Sequence, residues 1–184
     1  MQWSPFLRAL PTTLRVSLRA DLRDFRWSAY SYQAKAWFGN PELHYEIWVR
    51  PRLRVVELGL HFEADELTNA RLLAAFRARA KDVKRGLGRD ARIEEWDRGW
   101  ARVWEPVSLE LDDDALRDTV ATRFAGYMRT LEPIVREELP SDVRWVLPGA
   151  RRTAKTTAAW AKPKGQAAGR RTAGPSPTSS RTSR

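Results

Sequence analysis

At Leu43 the hydrophobic period of the chain changes from that of a helix to that of a strand, and this change fixes the fold class. Leu43, Tyr45, Ile47 and Val49 alternate with His44, Glu46, Trp48 and Arg50. After Pro51-Arg52 a second alternation sets Val56, Leu58, Leu60 and Phe62 against Val55, Glu57, Gly59, His61 and Glu63. Residues two apart share a face of a strand, so each run carries one apolar and one polar face. The pair predicts a hairpin that turns at Pro51-Arg52, since a proline suits a turn better than a central strand.

Helical periodicity flanks this hairpin. Leu14, Leu18, Leu22 and Phe25 recur at spacings of four, four and three, and Gly39-Asn40-Pro41 punctuates the end of the unit. Residues 1–40 are therefore expected to form an N-terminal helical segment. Leu73, Phe76, Ala80, Val83 and Leu87 predict one helix over 65–87, with Asp65 and Glu66 at its positive end. A second strand pair follows at 91–96 and 100–105 around the turn Asp97-Arg98-Gly99. Asp112, Asp113 and Asp114 open a last helix with the stripe Leu116, Val120, Phe124, Tyr127 and Leu131, and Pro133 is read as starting a short continuation. The expected fold class is α+β in the order α-ββα-ββα, a four-stranded antiparallel sheet with helices packed on one face.

The charge of the chain is unevenly distributed. It has 33 Lys+Arg against 23 Asp+Glu, a formal +10 in 184 residues. Nine of the basic residues and none of the acids fall in 148–184, which leaves 24 against 23 before them. That last stretch has no Leu, Ile, Val or Phe. It is expected to be a disordered basic tail, because it has too little apolar surface to offset its ordering entropy. The folded body is placed at 41–147.

With no cysteine there is no disulfide framework and no thiol chemistry. The N-terminus lacks the pattern of a signal peptide and no window is apolar enough for a membrane span, so a bacterial cytoplasmic protein without membrane contact is expected. Phosphate-binding glycine loops and nucleophile elbows are missing, and no catalytic residue, cofactor or resident metal is expected.

Three groups of residues are candidates for binding. The polar face of the first hairpin offers His44, Glu46, Glu57 and His61. With a two-residue turn Glu46 would oppose Glu57, two like charges in need of an offsetting cation, and Arg102 is the best internal one. The face reads either as a metal or acid–base site, although its spacing fits no named metal motif, or as a plain Arg–Glu network. The second group is Trp96, Trp100, Arg102 and Trp104. These aromatics with an arginine either bind a planar ligand or pack beneath the N-terminal segment. The third is the tail, where Arg151, Arg152, Lys155, Lys162, Lys164, Arg170 and Arg171 are candidate contacts to nucleic acid or another polyanion.

Val55 to Glu63, Asn69, Leu87-Gly88, Glu94-Glu95-Trp96 and Ala101-Arg102-Val103 together resemble an uncharacterised bacterial α+β domain often appended to restriction-type nuclease domains and other DNA-associated proteins. The resemblance covers about residues 43–139. His44-Tyr45-Glu46 and the turn from Trp96 to Trp100 depart from its pattern. What it implies is an accessory role near DNA, with no catalytic residue to carry over. The sequence thus favours a non-enzymatic accessory or binding domain whose basic tail contacts nucleic acid or another polyanion. The alternatives are a small-ligand or metal-binding enzyme using the His44/Glu46/Glu57/His61 face, and a protein-interaction module using the tryptophan face.

Overall fold

A computed structural model describes residues 2–110 and 112–139. The tail with its candidate polyanion contacts, Arg151 to Arg171, lies outside the described residues. Helix α1 (Trp3–Ser17) is followed by strands β1 (Arg26–Ala29), β2 (Gln33–Trp37), β3 (Leu43–Arg50) and β4 (Val55–Phe62). Helices α2 (Glu66–Ala78) and α3 (Ala80–Leu87) then lead to β5 (Arg92–Glu95), β6 (Ala101–Ser108) and α4 (Asp113–Glu138). The six strands form one antiparallel sheet in the order β1-β2-β3-β4-β6-β5. Strands β4 and β5 run parallel with β6 inserted between them, so α2 and α3 serve as the crossover.

The α+β class and the antiparallel sheet agree with the sequence, but the sheet has six strands where four were expected. The additional two, β1 and β2, come from the aromatic stretch read as helical. Their short alternation (Ala34 and Ala36 buried, Gln33, Lys35 and Trp37 half-buried) is too brief to compete with the helical spacing before it. Leu18, Leu22 and Phe25 are buried as that spacing requires, yet α1 ends at Ser17 and they sit in the following turns. The expected helix 65–87 is two helices that break at Arg79 (φ −101°, ψ 19°), whose guanidinium grips Glu137 and Glu138 of α4. Pro133 does not restart the last helix, which runs through it.

Among the described residues α1, α2 and α4 lie against one side of the sheet, and α3 packs on α4. Tyr45 and Trp27 meet Phe124 of α4 edge-on, and Phe62 stacks on Phe76 of α2 at 5.4 Å. The Tyr45 hydroxyl donates to the Glu132 carboxylate at 3.0 Å, and Arg123 of α4 holds the buried Glu105 of β6. Two aspartates are N-caps: Asp65 accepts from the Thr68 N–H and Asp112 from those of Asp114 and Ala115. Among the described residues no helix is long and apolar enough to cross a membrane.

Gly59 in β4 faces away from the helices, between Glu46 of β3 and Trp104 of β6. A Cβ there would come within 2.7 Å of both the Val103 carbonyl oxygen and the Trp104 Cβ. The contact with backbone cannot be relieved by turning a side chain. Gly59→Ala is therefore expected to lower stability by about 1–3 kcal/mol, read from the midpoint of urea unfolding.

Candidate functional site

Between β3 and β4 the chain turns through four residues, Pro51 to Arg54, with Arg54 left-handed at φ 55°. Arg50 consequently pairs with Val55, and every opposition is displaced by two residues from that of a two-residue turn. A shift of two keeps each side chain on its face but changes what lies across from it. Glu46 faces Gly59 and not Glu57, so the predicted clash of carboxylates does not arise. His44 instead lies directly opposite His61.

The two imidazoles stack at 5.6 Å with planes 13° apart, and the Trp96 edge closes on His61 at 5.2 Å. Around them Glu46, and Glu63 just past the end of β4, complete a cluster whose four donor atoms all lie within 4.8 Å of one another. His44 Nδ1–H donates to the Pro41 carbonyl at 3.0 Å, which directs Nε2 toward Glu46 at 3.4 Å and Glu63 at 3.9 Å. His61 Nδ1 points to Glu63 at 3.8 Å, and this buried nitrogen has no hydrogen-bond partner. Lys35, on the neighbouring strand β2, places its ammonium 3.1 Å from Glu46. His44, Glu46 and His61 are at most 3% exposed, while Glu63 and Lys35 edge the cluster toward solvent.

Burial governs the protonation of this group. It pushes His61 from its ordinary 6.5 down to about 3, so the ring is neutral at physiological pH. Burial works against the charge of Glu46 too, but Lys35 and His44 beside it outweigh that, and the carboxyl is held below its ordinary value. The site thus presents a neutral imidazole and an ionised carboxylate, both shielded from water.

Of the residues anticipated for this face, the structure brings together His44, Glu46 and His61, with Trp96 against the His61 ring. Glu57 belongs elsewhere. It takes Arg50 at 3.1 Å and Arg102 at 3.4 Å. Arg102 also donates twice to Glu94 and lies between the Trp96 and Trp104 rings, at 5.0 and 3.9 Å from their centroids. Trp104 N–H donates to the same Glu94 oxygen at 2.6 Å. The guanidinium is engaged on its edge by carboxylates and on its faces by rings, which makes this a packed network. Trp100 lies beside Trp96 at the turn, 6.0 Å away.

The N-terminal segment, considered as a cover for these aromatics, instead lengthens the sheet through β1 and β2. Two members of the cluster escaped sequence reading. Glu63 continues the polar alternation two residues beyond His61, and that signal was available. Lys35 sits in a stretch read as helical, so nothing placed it beside Glu46.

Because His61 binds its proton far less readily in the folded chain than unfolded, acid removes stability. Above pH 6.5 the neutral ring is common to both states. As the pH falls toward 3 only the unfolded chain gains the proton, and the loss grows by about 1.4 kcal/mol per pH unit. The protein at pH 5 is thus expected to be about 2 kcal/mol less stable than at pH 7.5 from this group alone. Urea midpoints across that range would show it, with His61→Phe flattening the slope.

No family model matches the chain, and neither a curated protein nor a solved structure matches it, so the site is interpreted from its own chemistry.

Proposed function

We propose that this chain is a metal-binding domain whose second sheet face captures one divalent transition ion through His44, His61, Glu46 and Glu63. This replaces the expectation of no resident metal. The observation that carries it is the buried, unpartnered His61 Nδ1 aimed into a cluster of three other donors. A buried ring nitrogen without a hydrogen bond costs free energy that a metal bond would recover.

Three further features support the reading. The chain has only two histidines, and both are in this site. The His44 Nδ1–H bond to a backbone carbonyl is the orientation by which proteins fix the tautomer of a metal-ligating imidazole. Two imidazoles and two carboxylates suit zinc best, with iron and manganese next. Tetrahedral bonds of about 2.0–2.1 Å would put donors roughly 3.3 Å apart. His44 Nε2 and Glu46 already stand at 3.4 Å, so only the Glu63 and His61 contacts need to contract. Lys35 supplies the positive charge beside Glu46 in the ion-free arrangement and competes with the metal for that carboxylate. Glu63, nearest to solvent, is the ligand that water would most readily exchange.

Titrating zinc into chelator-treated full-length protein is expected to give one site per chain and a rise in melting temperature, equivalent to about 2.7 kcal/mol at a hundredfold excess over Kd. His61→Ala is expected to weaken binding by about 100-fold or more, and Lys35→Met to tighten it. Wild-type affinity in both His44→Ala and His61→Ala, or no binding at millimolar zinc, refutes the site. A Lys35→Met variant that loses stability without tightening zinc binding would mark the cluster as an ordinary buried ion pair.

A further inference from the structure

A second feature lies at the other end of the sheet. From Arg77 to Arg92 the chain carries seven basic residues against two acids, although the chain before residue 148 is nearly neutral. The fold gathers part of this charge around a cleft of about 440 Å³ between the α2–α3 junction and the edge strand β5. Its floor is apolar (Ala80, Ala91, Ile93) and its rim is Arg77, Lys84, Arg89 and Arg92, with Asp90 the one acid.

The charges of this segment differ in what already neutralises them. Arg79 is held by Glu137 and Glu138, and Arg85 by Asp82. Arg77 has only a 3.5 Å contact with the exposed Glu95. Lys84 and Arg89 make no ion pair among the described residues, while the Arg92 guanidinium lies 5.1 Å from the Trp104 ring, on the sheet face opposite Ile93. Lys84 and Arg89, unpaired and lining one small concave surface, leave a positive potential that a dianionic group offsets better than any single carboxylate. Guanidinium groups match the tetrahedral oxygens of phosphate, and an apolar floor suits the sugar or base attached to it.

We propose that the cleft rimmed by Arg77, Lys84, Arg89 and Arg92 binds the phosphate of a nucleotide, either free or within a nucleic-acid chain. This places nucleic-acid contact, expected from the sequence in the tail, on the folded body as well. It is independent of the metal site, which lies on β3 and β4.

The test uses full-length protein, with the tail present throughout, and fluorescence anisotropy with a labelled single-stranded oligonucleotide. The double variant Lys84→Glu/Arg89→Glu is compared with Arg8→Glu/Arg52→Glu, which makes the same charge change at exposed positions elsewhere. The cleft variant is expected to bind about tenfold or more weakly and with a shallower salt dependence, and the control to stay within about threefold of wild type. Lys84→Gln/Arg89→Gln, a milder change, is expected to fall between them. Competition by adenosine triphosphate against the oligonucleotide, lost in the cleft variant, assigns the site to free nucleotides. Oligonucleotide binding without such competition assigns it to the nucleic-acid chain. Equal weakening in the cleft and control variants, no binding of either ligand, or equal binding of polyglutamate would overturn the proposal.

Discussion

The turn from Pro51 to Arg54 sets the register on which the candidate site depends. Four residues, the last left-handed, bring Arg50 opposite Val55, and the pairing then propagates to the far end of the hairpin, where His44 meets His61. The same register puts Gly59 opposite Glu46 and leaves room for Trp104 on the next strand. A slip of one residue in β4 would send His61 to the helix side and Leu60 to the opposite face. The core and the site are therefore specified by one constraint: the apolar alternation resists the slip, and the polar cluster benefits from that resistance.

The sheet divides its two faces by chemistry. Toward the helices it presents rings and aliphatic side chains, with the few polar groups satisfied in pairs such as Tyr45–Glu132 and Glu105–Arg123. The other face carries ionisable groups in two adjoining networks. In one, Arg102 is saturated by Glu57, Glu94 and two tryptophan rings. In the other, His61 retains an unsatisfied nitrogen and Glu46 faces a lysine from the next strand. Trp96 belongs to both, touching Arg102 and His61. The saturated network acts as a wall for the unsaturated one, since a guanidinium fixed on all sides cannot swing across to neutralise Glu46.

What the sequence disclosed and what it hid follow from the range of the interactions concerned. The face on which His44, Glu46 and His61 lie was legible because strand alternation is local. Arg102 as partner to Glu57 was legible for the same reason: both point away from the apolar side of their strands. The opposition of His44 to His61 was not, because it depends on whether Arg52 or Arg54 ends the turn, and Pro-Arg-Leu-Arg allows both. The two added strands were hidden because β1 is four residues and β2 five, too short for a period-2 pattern to stand out beside a helical one. Lys35 was lost with them. A site assembled across three strands thus showed two of its strands in the sequence.

Charge illustrates a related limit. The formal +10 is a sum, and a sum cannot say which charges are available. Within the described residues many arginines are spent on structure: Arg79 joins the α2–α3 junction to α4, Arg123 neutralises buried Glu105, Arg136 reaches Glu132 and Asp21, and Arg102 fills the tryptophan wall. Their removal would expose a carboxylate or a ring and would be felt as lost stability. Lys84 and Arg89 have no such duty, yet they stand together over an apolar floor. Like charges that share one surface without a counter-ion repel one another, and folding gains nothing from placing them so. An anion bound between such charges would turn that repulsion into binding energy, which is why unpaired charge says more about a binding surface than net charge does.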